Sequence, residues 1–346
     1  MNEPTIKKYI SRFLNFKRGE EGVEEIWNML ESTGWNDVIN IAQEYRVTTF
    51  LFYKIKQLGR EGKLQPETLR ILSLKYQKGV ARNVVIRHLL KDIIRSLNQR
   101  GIKAVILKGA INFFENIYEN WNLRSMEDLD ILIKEEDFPA ARQCMRTAGL
   151  QYVGGQIPRD LSEDFEGRNI PVDMHYLPVP EKHIDLFDID SFWSNTLCVE
   201  MDGIKAHIPC PTDQIYHKFV HDVIRHQGLI NFHIQDLCDF VMTSQYYQER
   251  IDWEEILRRV RKNDIESLFK LHCWQIKRNL GAELPQPIND LSDNNKYYEK
   301  RYDQLSECPE WLESASERLM AIQVKGGNFS AHLKNSFNVL VKESAS

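Results

Sequence analysis

Several features that define other protein classes are missing from this sequence. The six cysteines are widely spaced, and the nearest two, Cys198 and Cys210, are twelve positions apart, so no Cys-x-x-Cys pair is present for a structural zinc site. No uninterrupted apolar run approaches the ~18 residues of a membrane span. The first residues contain no apolar signal-peptide core. These absences predict a cytoplasmic protein with reduced cysteines and no membrane partner.

Three motifs of nucleotide and ester chemistry are also absent. The chain contains no Gly-x-Gly-x-x-Gly, no Walker A sequence and no Gly-x-Ser-x-Gly elbow, which argues against Rossmann cofactors, P-loop hydrolysis and serine esterase chemistry. The 45 basic and 50 acidic residues give a net charge of −5, which excludes a strongly basic nucleic-acid coat protein. Residues 66–100 are locally basic. We interpret them as a solvated helix face, with contact to a polyanion such as RNA as the alternative.

Hydrophobic periodicity divides the chain of 346 residues into three parts. Residues 1–99 have a helical period throughout, including one long helix predicted from Pro66 to about Gln99. Residues 100–210 alternate short β-rich runs with short helical runs, and the helical period returns over residues 211–346. The pattern predicts an α+β fold, in which a small mixed β-sheet core is flanked by N-terminal and C-terminal helical regions.

Asp128 and Asp130, in the predicted strand DLDILI, are candidate metal ligands. Side chains two positions apart on a strand share a face, so we expect these carboxylates to point together and Leu129 and Ile131 to point to the buried side. Neighbouring carboxylates repel each other unless a cation lies between them. Hard oxygen ligands suit Mg²⁺, which commonly completes its shell with substrate phosphates. An Asp-x-Asp pair also occurs at ordinary strand ends and turns.

A third carboxylate is found in the predicted strand RNIPVDMHY. Its alternation puts Ile170, Val172 and Met174 on one face and Pro171, Asp173 and His175 on the other. An acid on such an apolar strand requires a compensating partner. If this strand pairs with DLDILI, Asp173 completes a three-carboxylate cluster that can hold two metal ions, as in phosphoryl-transfer enzymes.

The blocks LKGA, LRSMEDLDILI and PVDMHY together resemble an uncharacterised nucleotidyltransferase family related to the DNA polymerase beta superfamily. The resemblance covers residues 100–176 and extends more loosely into the following helices. It implies that Asp128 and Asp130 are the metal-binding pair, and that Asp173 either binds the catalytic metal or accepts a proton from the attacking hydroxyl. The implied cofactor is Mg²⁺ or Mn²⁺. The implied reaction transfers a nucleoside monophosphate from a nucleoside triphosphate to a small molecule, a protein or an RNA, with release of pyrophosphate.

The same resemblance makes Gly109 the turn at which the chain approaches the nucleotide phosphates. The sequence reads Lys108–Gly109–Ala110 where the superfamily commonly has Gly–Ser. The serine that usually touches a phosphate is therefore absent, and Lys108 is the candidate that supplies positive charge instead. Arg124 and Ser125 are further candidates for phosphate contacts. A surface arginine and a turn serine are the alternative interpretation of these two residues.

Two other functions stay open from the sequence. The Lys–Gly–Ala turn is compatible with a catalytically inactive nucleotide-binding or partner-binding protein on the same fold. His217 and His221, four residues apart on a predicted helix and followed by Asp222, are compatible with a His–Asp metal phosphohydrolase. Its outlying ligands would be His207, Asp236 and Asp239. Alternatively, this helix covers the nucleotide, with His221 or His226 near the site.

Overall fold

The structure is a computed structural model that describes residues 2–15, 21–154, 162–225 and 232–291. Before the sheet, these residues form helices α1 (Glu3–Asn15), α2 (Val23–Thr33), α3 (Trp35–Glu44), α4 (Thr48–Gln57) and α5 (Pro66–Gln99). The predicted long helix is confirmed in α5. Pro66 occupies its first turn, where a missing N–H costs no hydrogen bond, and Gly101 follows its end with φ +71°.

One seven-stranded mixed sheet lies at the centre of the described chain. Its strands are β1 (Val105–Ile106), β2 (Leu129–Leu132), β3 (Gln151–Gly154), β4 (Ser162–Gly167), β5 (Ile170–His175), β6 (Leu197–Met201) and β7 (Ile204–Ile208). They are arranged in the order β3–β4–β5–β2–β1–β7–β6. Strand β2 is parallel to β5, β1 is parallel to β7, and the remaining pairs are antiparallel. The predicted α+β class, a mixed sheet flanked by helical regions, is confirmed.

Strand β4 is an element that the sequence pattern does not predict. Its segment SEDFEG is largely acidic, and Phe165 is its one large apolar side chain. In the structure Phe165 is buried, and so is Glu163, which is only 1% exposed. The Glu163 carboxylate forms an ion pair with Arg142. This pairing offsets the cost of burying the charge and allows an acidic segment to become an inner strand.

The remaining helices lie between the strands and after the sheet. They are α6 (Phe138–Thr147), α7 (Ile189–Ser194), α8 (Pro211–Phe219), α9 (Ile234–Tyr247), α10 (Trp253–Lys262), α11 (Glu266–Leu280) and α12 (Ile288–Leu291). Helix α8 continues directly into a π-helical segment, Val220–Arg225. Helices expected after Pro309 lie outside the described residues. No helix in the described ranges has the length and apolar character needed to cross a bilayer.

Apolar side chains form two buried clusters, one on each side of the sheet. The first joins the second half of α5 and helix α6 to strand residues such as Ile131 and Val172. The second contains residues of α1–α4 and of α8–α11, together with Val105 and Leu132 of the sheet. Helices that precede the sheet and helices that follow it therefore share one core. The division into regions 1–99, 100–210 and 211–346 stays a prediction.

Candidate active site

Strands β2 and β5 bring two acids and a histidine together. They are parallel neighbours, with Asp130 opposite Asp173 and Leu132 opposite His175. Because side chains alternate along a strand, Leu129 and Val172 point to the apolar core and the three polar groups share the other face. One ligand atom from each of Asp130, Asp173 and His175 lies within 4.8 Å of the other two. This spacing allows one divalent ion to be held by all three.

The carboxylate of Asp130 is the centre of this group. It is 3% exposed, and its Oδ1 accepts hydrogen bonds from Lys108 Nζ at 2.6 Å and from His175 Nε2 at 2.9 Å. Burial disfavours the charge of Asp130, but the Lys108 ammonium and the His175 hydrogen bond outweigh it and hold the pKa of Asp130 well below its usual range. Asp130 is therefore ionised at neutral pH, as a metal ligand must be.

Asp173 has the opposite electrostatic balance. It is half-buried, and burial together with the negative charge of Asp130 raises the pKa of Asp173 to about 6. Two carboxylates held in register on adjacent strands repel each other, and this repulsion is relieved by a proton or by a cation. Negative charge is thus concentrated at one point on the polar face of the sheet.

Asp128 lies just before β2, which begins at Leu129. Among the described residues, Asp128 is not part of the group formed by Asp130, Asp173 and His175, whose ligand atoms lie within 4.8 Å of one another. Burial, followed by the charge of Asp130, raises the pKa of Asp128. The structure thus places Asp130 with Asp173 and leaves Asp128 at the margin. The metal-binding roles of the three acids stay predictions.

Helix α5 holds the loop that leads into β2. Arg82 donates hydrogen bonds to the carbonyl oxygens of Met126 and Glu127 at 3.0 and 2.8 Å. The next residue, Asn83, donates through Nδ2 to the carbonyl oxygens of Asn122 and Arg124 at 3.0 and 2.7 Å. Satisfying these loop carbonyls from a long helix fixes the backbone immediately before Asp128.

Arg124 connects the same loop to the C-terminal helices. Its guanidinium donates to the carboxylate of Asp239 on α9, through Nε at 2.9 Å and Nη2 at 2.8 Å, and Tyr118 Oη donates to the same carboxylate at 2.5 Å. A Cβ added to Gly109 would overlap the Arg124 guanidinium. Glycine is therefore required by this close approach. The cationic side chains of Lys108 and Arg124 thus lie beside Gly109 and next to the acids. We call these three residues the cationic corner.

Ser125 is directed elsewhere. Its hydroxyl donates to Thr49 Oγ1 on α4 at 3.3 Å, so it contributes to the packing between the loop and the N-terminal helices. Phosphate contacts by Ser125, and those expected of Lys108, Gly109 and Arg124, stay predictions.

The histidine-bearing helix faces this corner. His217 Nε2 donates to the carbonyl oxygen of Pro178 at 2.7 Å, and burial lowers the pKa of His217 to about 4. His221 Nδ1 and Asp222 Oδ1 form a hydrogen bond of 2.8 Å. Lys218 on the same helix lies 3.8 Å from Asp239, the partner of Arg124, so α8 borders the cationic corner. His226 is outside the described residues.

The ligand set expected of a phosphohydrolase is not assembled in the described structure. The group with ligand atoms within 4.8 Å contains neither His217 nor His221. It also contains none of the proposed outlying ligands, His207, Asp236 and Asp239. The carboxylate of Asp239 instead accepts hydrogen bonds from Arg124 and Tyr118.

The contacts of two residues of the site are not predicted by the sequence. Strand alternation places His175 on the face of Asp173, but only the pairing of β2 with β5 brings it to Asp130. Asp239 is 115 positions from Arg124, and no local pattern connects them.

Comparison with known proteins identifies the class. Residues 31–281 match the model of a family described as uncharacterised nucleotidyltransferase. The chain belongs to this family, as the resemblance of its motifs predicts, and its membership supports a role in nucleotidyl transfer with a nucleotide as substrate. Among solved structures, the chain is similar to the antibiotic-resistance factor ANT(2'')-Ia, with 12% identity and a TM-score of 0.40 over 54% of this chain and 96% of that chain. Comparison with curated proteins found no match.

Proposed function

We propose that the protein transfers a nucleoside monophosphate from a nucleoside triphosphate to an acceptor, with a divalent cation as cofactor and pyrophosphate as the leaving group. One observation carries the proposal. Asp130 stands in register with Asp173, with His175 beside them, in a chain that belongs to a nucleotidyltransferase family.

The donor set of the candidate site fits a divalent cation. Asp130 and Asp173 offer carboxylate oxygens and His175 offers an imidazole nitrogen, all within 4.8 Å of one another. The raised pKa of Asp173, caused by burial and then by the charge of Asp130, indicates a surplus of negative charge that a cation would relieve. Oxygen donors suit Mg²⁺, and the imidazole equally suits Mn²⁺. Asp130, Asp173 and His175 would hold the ion, with Asp128 beside them.

The bound ion would supply positive charge to neutralise the phosphate oxygens. The chain provides the rest of the electrostatic environment. Lys108 places a positive charge beside Gly109, where the triphosphate would lie, and the Arg124 guanidinium packs against the same glycine. Fixed charges of this kind stabilise the negative charge that develops on phosphate oxygens during displacement.

The transfer itself is a single in-line displacement. The acceptor oxygen bonds to the α-phosphorus while the bond from that phosphorus to the bridging oxygen breaks, and pyrophosphate carries away the electron pair. The proton of the acceptor hydroxyl goes to the carboxylate of Asp173, which is less buried than that of Asp130. Positioning the two reactants on a rigid sheet supplies much of the rate enhancement.

A labelled-nucleotide assay tests this function. The protein is incubated with α-³²P-labelled nucleoside triphosphates, Mg²⁺ or Mn²⁺, and separate pools of small molecules, proteins and RNA. We expect label in one pool, loss of transfer with EDTA, and a decrease of about 100-fold or more for Asp130→Asn. The matched control Glu136→Gln changes an exposed carboxylate near the same strand and should keep full transfer.

Two results would reject the proposed function. The first is equal label transfer by the wild type and Asp130→Asn. The second is nucleotide binding that is indifferent to metal, with no transfer to any pool, which would favour a catalytically inactive nucleotide-binding protein.

A further inference from the structure

The ammonium group of Lys108 lies on the central carboxylate of the candidate metal site. Its Nζ is 2.6 Å from Asp130 Oδ1, while the Lys108 side chain is 23% exposed and the Asp130 side chain is 3% exposed. A short hydrogen bond between two charged groups is among the stronger contacts in a protein. Asp130 is therefore neutralised by a cation that belongs to the chain.

A divalent ion held by Asp130, Asp173 and His175 would use the same carboxylate. The ion and the Lys108 ammonium would then be two positive charges on one small anion, and their repulsion is large in a poorly solvated site. Either the ion binds weakly because the Lys108 ammonium remains on Asp130, or the ammonium moves away from Asp130 when the ion binds. The two cations are thus alternatives at Asp130.

Lys108 has the backbone and the side chain for such an exchange. Its φ of +50° lies in the left-handed region, which is disfavoured for a residue with a Cβ and is commonly found at functional sites. Its four-carbon stem is flexible, and its ammonium has three donors that rotate freely. Beside it, Gly109 lies against the Arg124 guanidinium. A phosphate group at this corner would meet the Lys108 ammonium, which is the more exposed of the two cationic groups.

We infer that Lys108 competes with the divalent cation for Asp130, and that the nucleotide phosphates draw Lys108 away from this carboxylate. The nucleotide half of this inference rests on the proposed function. The consequence is reciprocal coupling between the two ligands. The cation binds weakly alone and tightly with a triphosphate, and the triphosphate gains the same factor from the cation.

Calorimetric titration with Mn²⁺ in the absence of nucleotide tests the competition. Lys108→Met removes the competing ammonium and should tighten Mn²⁺ binding by about tenfold or more, since a hydrogen bond between charged groups is lost from the competing state. The same variant should bind a non-hydrolysable triphosphate more weakly in Mn²⁺, and nucleotide should tighten its Mn²⁺ binding less than in the wild type. The control Lys134→Met alters an exposed lysine next to β2 and should leave both affinities unchanged.

A second variant and a measurement of melting temperature distinguish the loss of the Lys108 charge from misfolding of the variant. Lys108→Gln keeps a hydrogen-bond donor and removes the charge, so it should also bind Mn²⁺ more tightly. Both Lys108 variants leave the charge of Asp130 less compensated, and Mn²⁺ should raise their melting temperatures by more than it raises that of the wild type.

The outcomes separate this inference from the proposed function. Suppose that Asp130→Asn abolishes Mn²⁺ binding while both Lys108 variants bind Mn²⁺ as the wild type does, or more weakly. The proposed competition between Lys108 and the cation is then wrong, and the proposed transferase function is unaffected. If the Lys108 variants bind Mn²⁺ more tightly but no acceptor pool is labelled, the competition is supported and the transferase is rejected.

Discussion

The buried pair of Arg124 and Asp239 should be among the most costly contacts to break in this protein. The Asp239 side chain is 6% exposed and accepts hydrogen bonds from Arg124 and Tyr118. Burial disfavours its charge, but Arg124 outweighs this effect and keeps the pKa of Asp239 below its usual range. The perturbation we consider is Asp239→Ala, which removes the carboxylate and leaves its partners in place.

The size of the effect follows from what is left behind. The Arg124 guanidinium, 14% exposed, becomes a buried charge without its counter-ion, which costs about 3–5 kcal/mol. The Tyr118 hydroxyl loses its acceptor at a further cost of about 1 kcal/mol. Lys218, at 3.8 Å from the carboxylate, loses a neighbour of opposite charge. We therefore expect the free energy of unfolding to fall by about 5 kcal/mol.

Urea denaturation of four proteins checks this value. Asp239→Ala is compared with the wild type, with the double variant Arg124→Met/Asp239→Ala, and with Asp37→Ala, which removes an exposed acid from α3. The double variant should recover much of the loss because the buried guanidinium is removed together with its counter-ion. Asp37→Ala should stay within about 1 kcal/mol of the wild type. A loss below about 1 kcal/mol for Asp239→Ala, or a double variant less stable than the single one, would refute the reasoning.

Two further predictions use the same denaturation assay. Burial lowers the pKa of His217 to about 4. The contribution of His217 to stability is therefore present above its unfolded pKa of about 6.5 and is lost as the pH falls toward 4. The free energy of unfolding should decrease by about 2 kcal/mol between pH 7.5 and 5. His217→Gln should lose this part of the pH dependence and the exposed His88→Gln should retain it; an unchanged dependence in His217→Gln would contradict the assignment. A methyl group on Gly109 would lie 2.5 Å from Arg124 Cζ, so Gly109→Ala should cost about 1–3 kcal/mol. Gly62→Ala, which meets open space, should cost almost nothing, and equal stability of the two glycine variants would exclude the proposed clash.

Local pattern was sufficient to predict the faces of β2 and β5. The two-residue period of a strand depends on its own backbone alone, so the sequence predicts that Ile131 and Val172 are buried and that Asp130 and Asp173 are on the polar faces. The period does not say where a strand begins. Strand β2 begins at Leu129, so Asp128 lies before the hydrogen-bonded ladder and outside the ligand group.

Long-range pairing accounts for what the sequence could not predict. Strand β4 forms from an acidic segment because Glu163 forms an ion pair with Arg142 of α6. The partner of Arg124 comes from α9, and the partner of Lys108 is an acid 22 positions further along the chain, in β2. Such pairs depend on the final packing of distant segments, and neither composition nor periodicity contains that information.

The core shared by α1–α4 and α8–α11 constrains how the protein is made. Helix α1 packs against α11, and the apolar cluster around Ile10 and Phe13 includes Phe269 and Ile276. During synthesis, α1 emerges first and stays without this covering surface until α11 has left the ribosome. The packing of α1 against α11 therefore forms late, after most of the described chain has been synthesised. A bulky fusion or a deletion within residues 2–15 should disturb the packing of α11, near the far end of the described chain.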